Sequence, residues 1–224
     1  MAPVSAVDLV RAVSETIAAR HFTYVHTMKQ PFPDGTEMTS KEEGYVDLVA
    51  EQMDSWTHFD TGEVAKCDPD TYGSERCSAS GSTRMMLDGA TIYLQFPDDT
   101  WDEMPVSGVG ASSVALLFWL YGTTETVPTS DTDIEVGVDF DRACRSVPDS
   151  VRGSVREGLE DFLSEGFDGI ARGRVQVIDG LVRSIVLTLP SRPDPASGDR
   201  IPESEMALHL TSSPPRTLTF PQTS

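Results

Sequence analysis

Asparagine is absent from the 224-residue chain, and three lysines stand against fourteen arginines. The first absence removes every N-glycosylation acceptor, and the two together fit the composition of a high-GC bacterial coding sequence. Cysteine is scarce as well: Cys67, Cys77 and Cys144 are the three present, too few for a disulfide framework. Cys67 and Cys77 bracket DPDTYGSER, a loop that a disulfide can close, and oxidation of that pair would favour export because the cytosol is reducing. Cys144 reads as a small buried residue. No apolar run has the ~20 residues that cross a bilayer: the longest candidate, SSVALLFWLYG at 112–122, reads as a buried helix. Positive charge is also short, with a formal net charge of −19. That surplus repels phosphate backbones and anionic headgroups, so neither a nucleic-acid partner nor stable membrane insertion is expected.

Reactive motifs are missing too. The chain has no GxSxG elbow, P-loop, HExxH or CxxC. Its four histidines, His21, His26, His58 and His209, form no obvious metal pair, since His21 and His26 sit at opposite strand parity. Neither a metal nor a cofactor is expected. The acids Asp98-Asp99 and Asp102-Glu103 lie in a turn beside Pro97 and Pro105 and read as solvated charge. The first residues, MAPVSAVDLVRAV, contain neither a basic n-region leading into an apolar stretch nor a lipobox cysteine. The expected location is the cytoplasm, with export as the alternative if a lipoprotein signal has been removed.

What is present is β-rich. Residues 5–20 place Val7, Val10 and Ile17 on one helical stripe, and HFTYVHTMKQ then alternates Phe22, Tyr24, His26 and Met28 against Thr23, Val25 and Thr27. Strand-type runs continue through GYVDLVAEQ and MDSWTHF, and STRMML meets ATIYLQF at Asp88-Gly89, a two-residue hairpin turn. After the helix 112–121 comes the strand TDIEVGVDF, then DRACRSV with Asp141 as its expected cap, and a helix over 149–165. A second hairpin turns at Asp179-Gly180, and EMALHLT and RTLTF close the chain. The expectation is one α+β domain over 1–224: helix 5–20, strands 21–101, helix 112–121, strand 131–139, helix 149–165 and strands 173–220.

Large side chains on both faces of these strands suggest a strongly curved antiparallel sheet, a half-open β-barrel, with helices over its concave face. Such a cavity would suit a large, mostly apolar small molecule or lipid. The expected lining is Tyr24, Met28, Trp56, Met85, Tyr93, Phe118, Trp119 and Tyr121, with His26 and His58 as polar contacts. Arg84, Arg183 and Glu43 are candidates for a polar ligand end.

The amphipathic first helix, HFTYVHTM, GYVDL, DGATIYLQFPDDTW, TDIEVGVDFDRA and DGLVRSIVLTL occur in an order and spacing that resembles the LolA/LppX-type lipoprotein fold of actinobacteria, over about residues 5–220. The resemblance implies a half-open barrel holding acylated lipids, glycolipids or lipoprotein tails, with Trp56, Tyr93, Phe118 and Trp119 near the cavity. Two functions follow from the sequence. The first is a cytoplasmic cyclase for a polyketide-like chain, acting by shape and hydrogen bonding without covalent catalysis. The second is an exported lipid or lipoprotein carrier. A structural or protein-binding module is the third class.

Overall fold

The strand-forming runs are realised as β1 (His21–Pro31), β2 (Glu37–Asp47), β3 (Gln52–Asp60), β4 (Ser80–Asp88), β5 (Thr91–Gln95) and β6 (Trp101–Pro105), after a first helix α1 (Ala6–Ala18). The computed structural model describes residues 6–32, 35–60, 80–96, 98–106, 108–148, 152–164, 169–193 and 200–221. The apolar run after β6 is helical but segmented: 3₁₀ turns at Gly108–Ala111 and Ser113–Ala115, a single α-turn α2 (Leu116–Trp119), and a 3₁₀ turn at Leu120–Gly122. Then come β7 (Thr123–Pro128), β8 (Asp133–Asp139), α3 (Phe140–Ser146), α4 (Arg152–Ser164), β9 (Ile170–Ile178), β10 (Leu181–Leu189), the two-residue β11 (Arg192–Pro193) and β12 (Arg200–Ile201), and β13 (Ser204–Ser212). Helix α3 is capped by Asp139 rather than the expected Asp141: its carboxylate accepts from the Arg142 backbone N–H at 2.8 Å. Only a residue still in extended conformation can turn its side chain onto that amide.

Among the described residues one antiparallel sheet of eleven strands runs β6-β5-β4-β3-β2-β1-β13-β10-β9-β8-β7. Two meanders, β1 to β6 and β7 to β10, are joined only through β13, which pairs with both β1 and β10. The second hairpin turns as expected: Ile178 pairs with Leu181, and Asp179 and Gly180 both adopt positive φ, the geometry that matches the strand twist. In the first hairpin the turn is shifted by one residue. Asp88 stays in the ladder opposite Thr91, held by Gln52 Nε2 at 2.9 Å, so the turn is Gly89-Ala90.

The expected half-open barrel is corrected. The sheet is open and is not strongly curved; β6 and β7 are its two edges and no register joins them. The argument for curvature assumed that large side chains on both faces must all be covered, but several are left to solvent: Trp56 and Phe96 are 45% and 47% exposed. Among the described residues, helical elements cover one face only. On it lie Phe22, Tyr24 and His26 of β1, Val46 of β2, Met53 of β3, Leu87 of β4, Leu208 and Leu210 of β13, Ile185 and Leu187 of β10, and Ile134 and Val138 of β8, all buried. Helix α1 docks on β10 through Thr16, whose buried hydroxyl donates to Ala12 O and accepts from Val182 N at 2.8 Å, beside a bulge in β10 between Val182 and Ser184.

The last expected strand, RTLTF, is not in the ladder. After Ser212 the chain crosses the other face of the sheet as a strap. The Arg216 backbone N–H donates to Tyr45 Oη at 3.1 Å, the Arg216 guanidinium lies 5.1 Å from the Tyr45 ring centre, and the Phe220 and Tyr93 rings are 6.0 Å apart. Pro214 and Pro215 lack the N–H groups that a ladder needs. Cys67 and Cys77, with their proposed disulfide, lie outside the described residues. Cys144 is a buried free thiol, its pKa raised by burial.

Candidate functional site

Strand alternation sets the site. His26 and Glu42 face each other across the β1–β2 ladder, with Met28 opposite Ser40 one step on and Tyr24 opposite Gly44 one step back. All six positions therefore share the helix-covered face. Met206 of β13 stands opposite Met28, and Thr57 of β3 opposite Glu42. The segment 110–119 and helix α4 close over this corner. Between them lies a cavity of about 420 Å³, within the ~300–1,000 Å³ of small-molecule sites. Its walls include Met28, Leu116, Trp119 and Met206 on the apolar side and His26, Glu42, Ser112 and Ser113 on the polar side.

Glu42 is 5% exposed and carries the polar wall. The Tyr24 and Ser113 hydroxyls each donate a hydrogen bond to one of its carboxylate oxygens. Tyr24 Oη also lies 3.0 Å from Met53 Sδ. Burial, and then the neighbouring Glu42, push the Tyr24 pKa well above its ordinary value, so this phenol stays protonated and donating. Trp119 forms the opposite wall, seated edge-on against Phe140 with ring centres 4.8 Å apart.

His26 is 4% exposed, and its Nε2 has no hydrogen-bond partner. Burial lowers its pKa, against an opposing pull from Glu42. The folded chain therefore keeps the imidazole neutral in conditions where the unfolded chain takes up a proton, and stability rises with pH through that range. The contribution is complete above the ordinary imidazole value of about 6.5 and is lost as the pH falls through the lower folded value. Thermal unfolding midpoints at pH 7 and pH 5 are expected to differ more in the native chain than in His26→Leu. An equal drop in both would show that His26 does not carry the effect.

The ten expected lining residues do not converge on one cavity. His26, Met28 and Trp119 line it, and Tyr24 stands behind Glu42. Trp56, His58 and Tyr93 are on the opposite face of the sheet, in the parity of Glu43, Tyr45 and Arg84. There His58 Nδ1 is 2.7 Å from Ser82 Oγ. Phe118 is core, Met85 packs against the core, and Tyr121 Oη meets Ser14 of α1 at 3.3 Å. Arg84 forms a two-pronged pair with Asp54 at 2.9 and 3.0 Å, and Glu43 pairs with Lys41 at 2.7 Å, both away from the cavity. Glu42, Ser113 and Met206 were not expected. Counting back by twos from the buried Val46 through Gly44 reaches Glu42, so the alternation contained the signal for that residue.

A hollow of about 490 Å³ lies on the uncovered face of β7 to β10, lined by Glu125, Arg172, Arg174 and Val186 among others. Its charged residues are exposed, and Arg172 already pairs with Glu125 at 3.3 Å, so it lacks the buried polar wall found beside His26.

No family model matches the chain, and no curated protein matches it. Among solved structures, LprF from Mycobacterium bovis is 10% identical with a TM-score of 0.46, covering 99% of this chain and 99% of that one. The LolA superfamily protein NE2245 from Nitrosomonas europaea is 9% identical with a TM-score of 0.35, over 98% of this chain and 96% of that one. A bifunctional dehydratase-cyclase domain in ambruticin biosynthesis is 10% identical with a TM-score of 0.18, over 92% of this chain and 79% of that one. No residue role or ligand is transferred from any of them. The expected cytoplasmic cyclase is corrected. The lining expected to fold a polyketide-like chain is divided between the two faces of the sheet, with Tyr24, His26 and Met28 on one and Trp56, His58 and Tyr93 on the other. The expected cytoplasmic location is corrected with it.

Proposed function

We propose that the chain is an exported carrier that holds a large, mostly apolar molecule of the lipid type in the cavity between the sheet and the segment 110–119. The carrying observation is the composition of that cavity: Met28, Leu116, Trp119 and Met206 offer apolar walls, and His26 and Glu42 stand together on one side. An amphiphile presents the same division between tail and head. A carrier needs no nucleophile or metal, only burial of the tail, at about 25 cal/mol per Å² of apolar surface removed from water. No helix among the described residues is long and apolar enough to cross a membrane, which suits loading and release over stable insertion.

Native mass spectrometry of protein from its natural host, followed by organic extraction, tests the reading. Recovery of molecules with acyl or other long apolar chains is the expected result. An empty protein that also fails to take up a fluorescent long-chain lipid from vesicles overturns the carrier function.

A further inference from the structure

The carrier reading leaves open which head group the polar wall accepts. Glu42 is a buried carboxyl whose described side-chain hydrogen bonds come from two neutral hydroxyls, those of Tyr24 and Ser113. No lysine or arginine among the described residues forms an ion pair with it. Arg84 of β4 is engaged with Asp54, and Arg20, just before β1, with Asp47. Beside it, across the strand pair, the buried His26 lines the same cavity with Nε2 unpartnered.

A buried polar nitrogen without a partner is costly, and a carboxyl hydrogen-bonded only by neutral donors has unused acceptor capacity. With the neutral His26 in its Nδ1–H tautomer, Nε2 is an acceptor, and both deficits are then met by one kind of guest, a group that brings several N–H donors and a positive charge. An anionic head would meet Glu42 as a like charge. A hydroxyl head brings a single donor and no charge.

We infer that the Glu42–His26 wall is a head-group site for a cationic amine, so that the preferred cargo is an amine-bearing amphiphile, its ammonium against Glu42 and His26 and its chain along Met28, Trp119 and Met206. This rests on the carrier reading and narrows it. Ammonium donors to a carboxylate are charge-assisted and stronger than neutral hydrogen bonds. The Tyr24 and Ser113 hydroxyls hold the carboxylate in place, so the site is formed before the ligand arrives.

Isothermal titration of the full chain with decylamine, decanol and decanoate at neutral pH tests it, repeated with Glu42→Gln, which keeps the size, with an amide oxygen to accept from one of the two hydroxyls and an NH2 to donate to the other. The expected result is decylamine bound about tenfold or more tighter than decanol, decanoate weakest, and the amine preference lost in Glu42→Gln. Equal affinity for amine and alcohol in the native chain overturns the inference and leaves the carrier reading standing. A preference that survives in Glu42→Gln overturns it too, since attraction to the net negative chain would then suffice. Absence of binding by all three overturns the carrier reading itself. The comparison among ligands on the native chain keeps the test decisive even if the variant fails to fold.

Discussion

Gly173→Ala is expected to lower stability by about 3 kcal/mol or more, at or beyond the upper end of the usual cost of overpacking a core. Gly173 lies in β9 with β10 beside it, and a Cβ placed there would sit 1.8 Å from Val186 O, 2.8 Å from Val186 C and 2.9 Å from Leu187 Cα. All three are backbone atoms, so no rotamer change relieves the clash. The β9–β10 ladder must part, and with it the surface on which α1 rests. Gly89→Ala is the control: its turn has a positive φ but nothing within 4 Å, so the cost is confined to about 1 kcal/mol of backbone strain. Urea unfolding with a shared slope reads the difference directly. Two variants with equal midpoints would show that β9 and β10 tolerate separation here.

Phe140→Ala carries the second large effect, a loss of about 3–5 kcal/mol. Phe140 is 1% exposed, opens helix α3, and supports Trp119 edge-on at 4.8 Å. Its removal leaves a void behind the cavity wall, so the damage reaches the site as well as the core. Phe140→Leu keeps most of the volume and is expected to cost much less, under about 1.5 kcal/mol if the neighbours repack. Denaturant unfolding separates the two. Equal losses in both variants would assign the effect to the start of α3 and not to packing against Trp119.

Much of this fold was legible in the chain. Alternation located the strands, and Asp179-Gly180 fixed a hairpin because only a turn with two positive φ angles suits that twist. Curvature was not legible, since a strand pattern records which residues can be buried and not whether anything covers them. Trp56 and Tyr93 look like cavity residues by type, and only the ladder register shows that they lie back to back with Tyr24 and His26. The same register would have exposed Glu42, which was passed over because an acid in GYVDL-type surroundings reads as surface. The strap from Ser213 to Phe220 escaped for a related reason: TLTF has strand-like residues, but the prolines before it forbid a ladder, and its partners, Tyr45 and Tyr93, are far away in sequence.

The place of β13 in the sheet bears on how the molecule comes into being. The strands made first, β1 to β6, and those made later, β7 to β10, have no common ladder until β13 is made, because among the described residues β13 alone bridges β1 and β10. Until synthesis reaches Ser212, β1 keeps one hydrogen-bonding edge unpaired, and the polar wall at His26 lacks the neighbouring Met206. The two halves are thus sequential products whose joining waits for β13, a high-contact-order step that is slow compared with the local hairpins. During that interval the open edge of β1 is the part of the nascent protein most in need of protection from other chains.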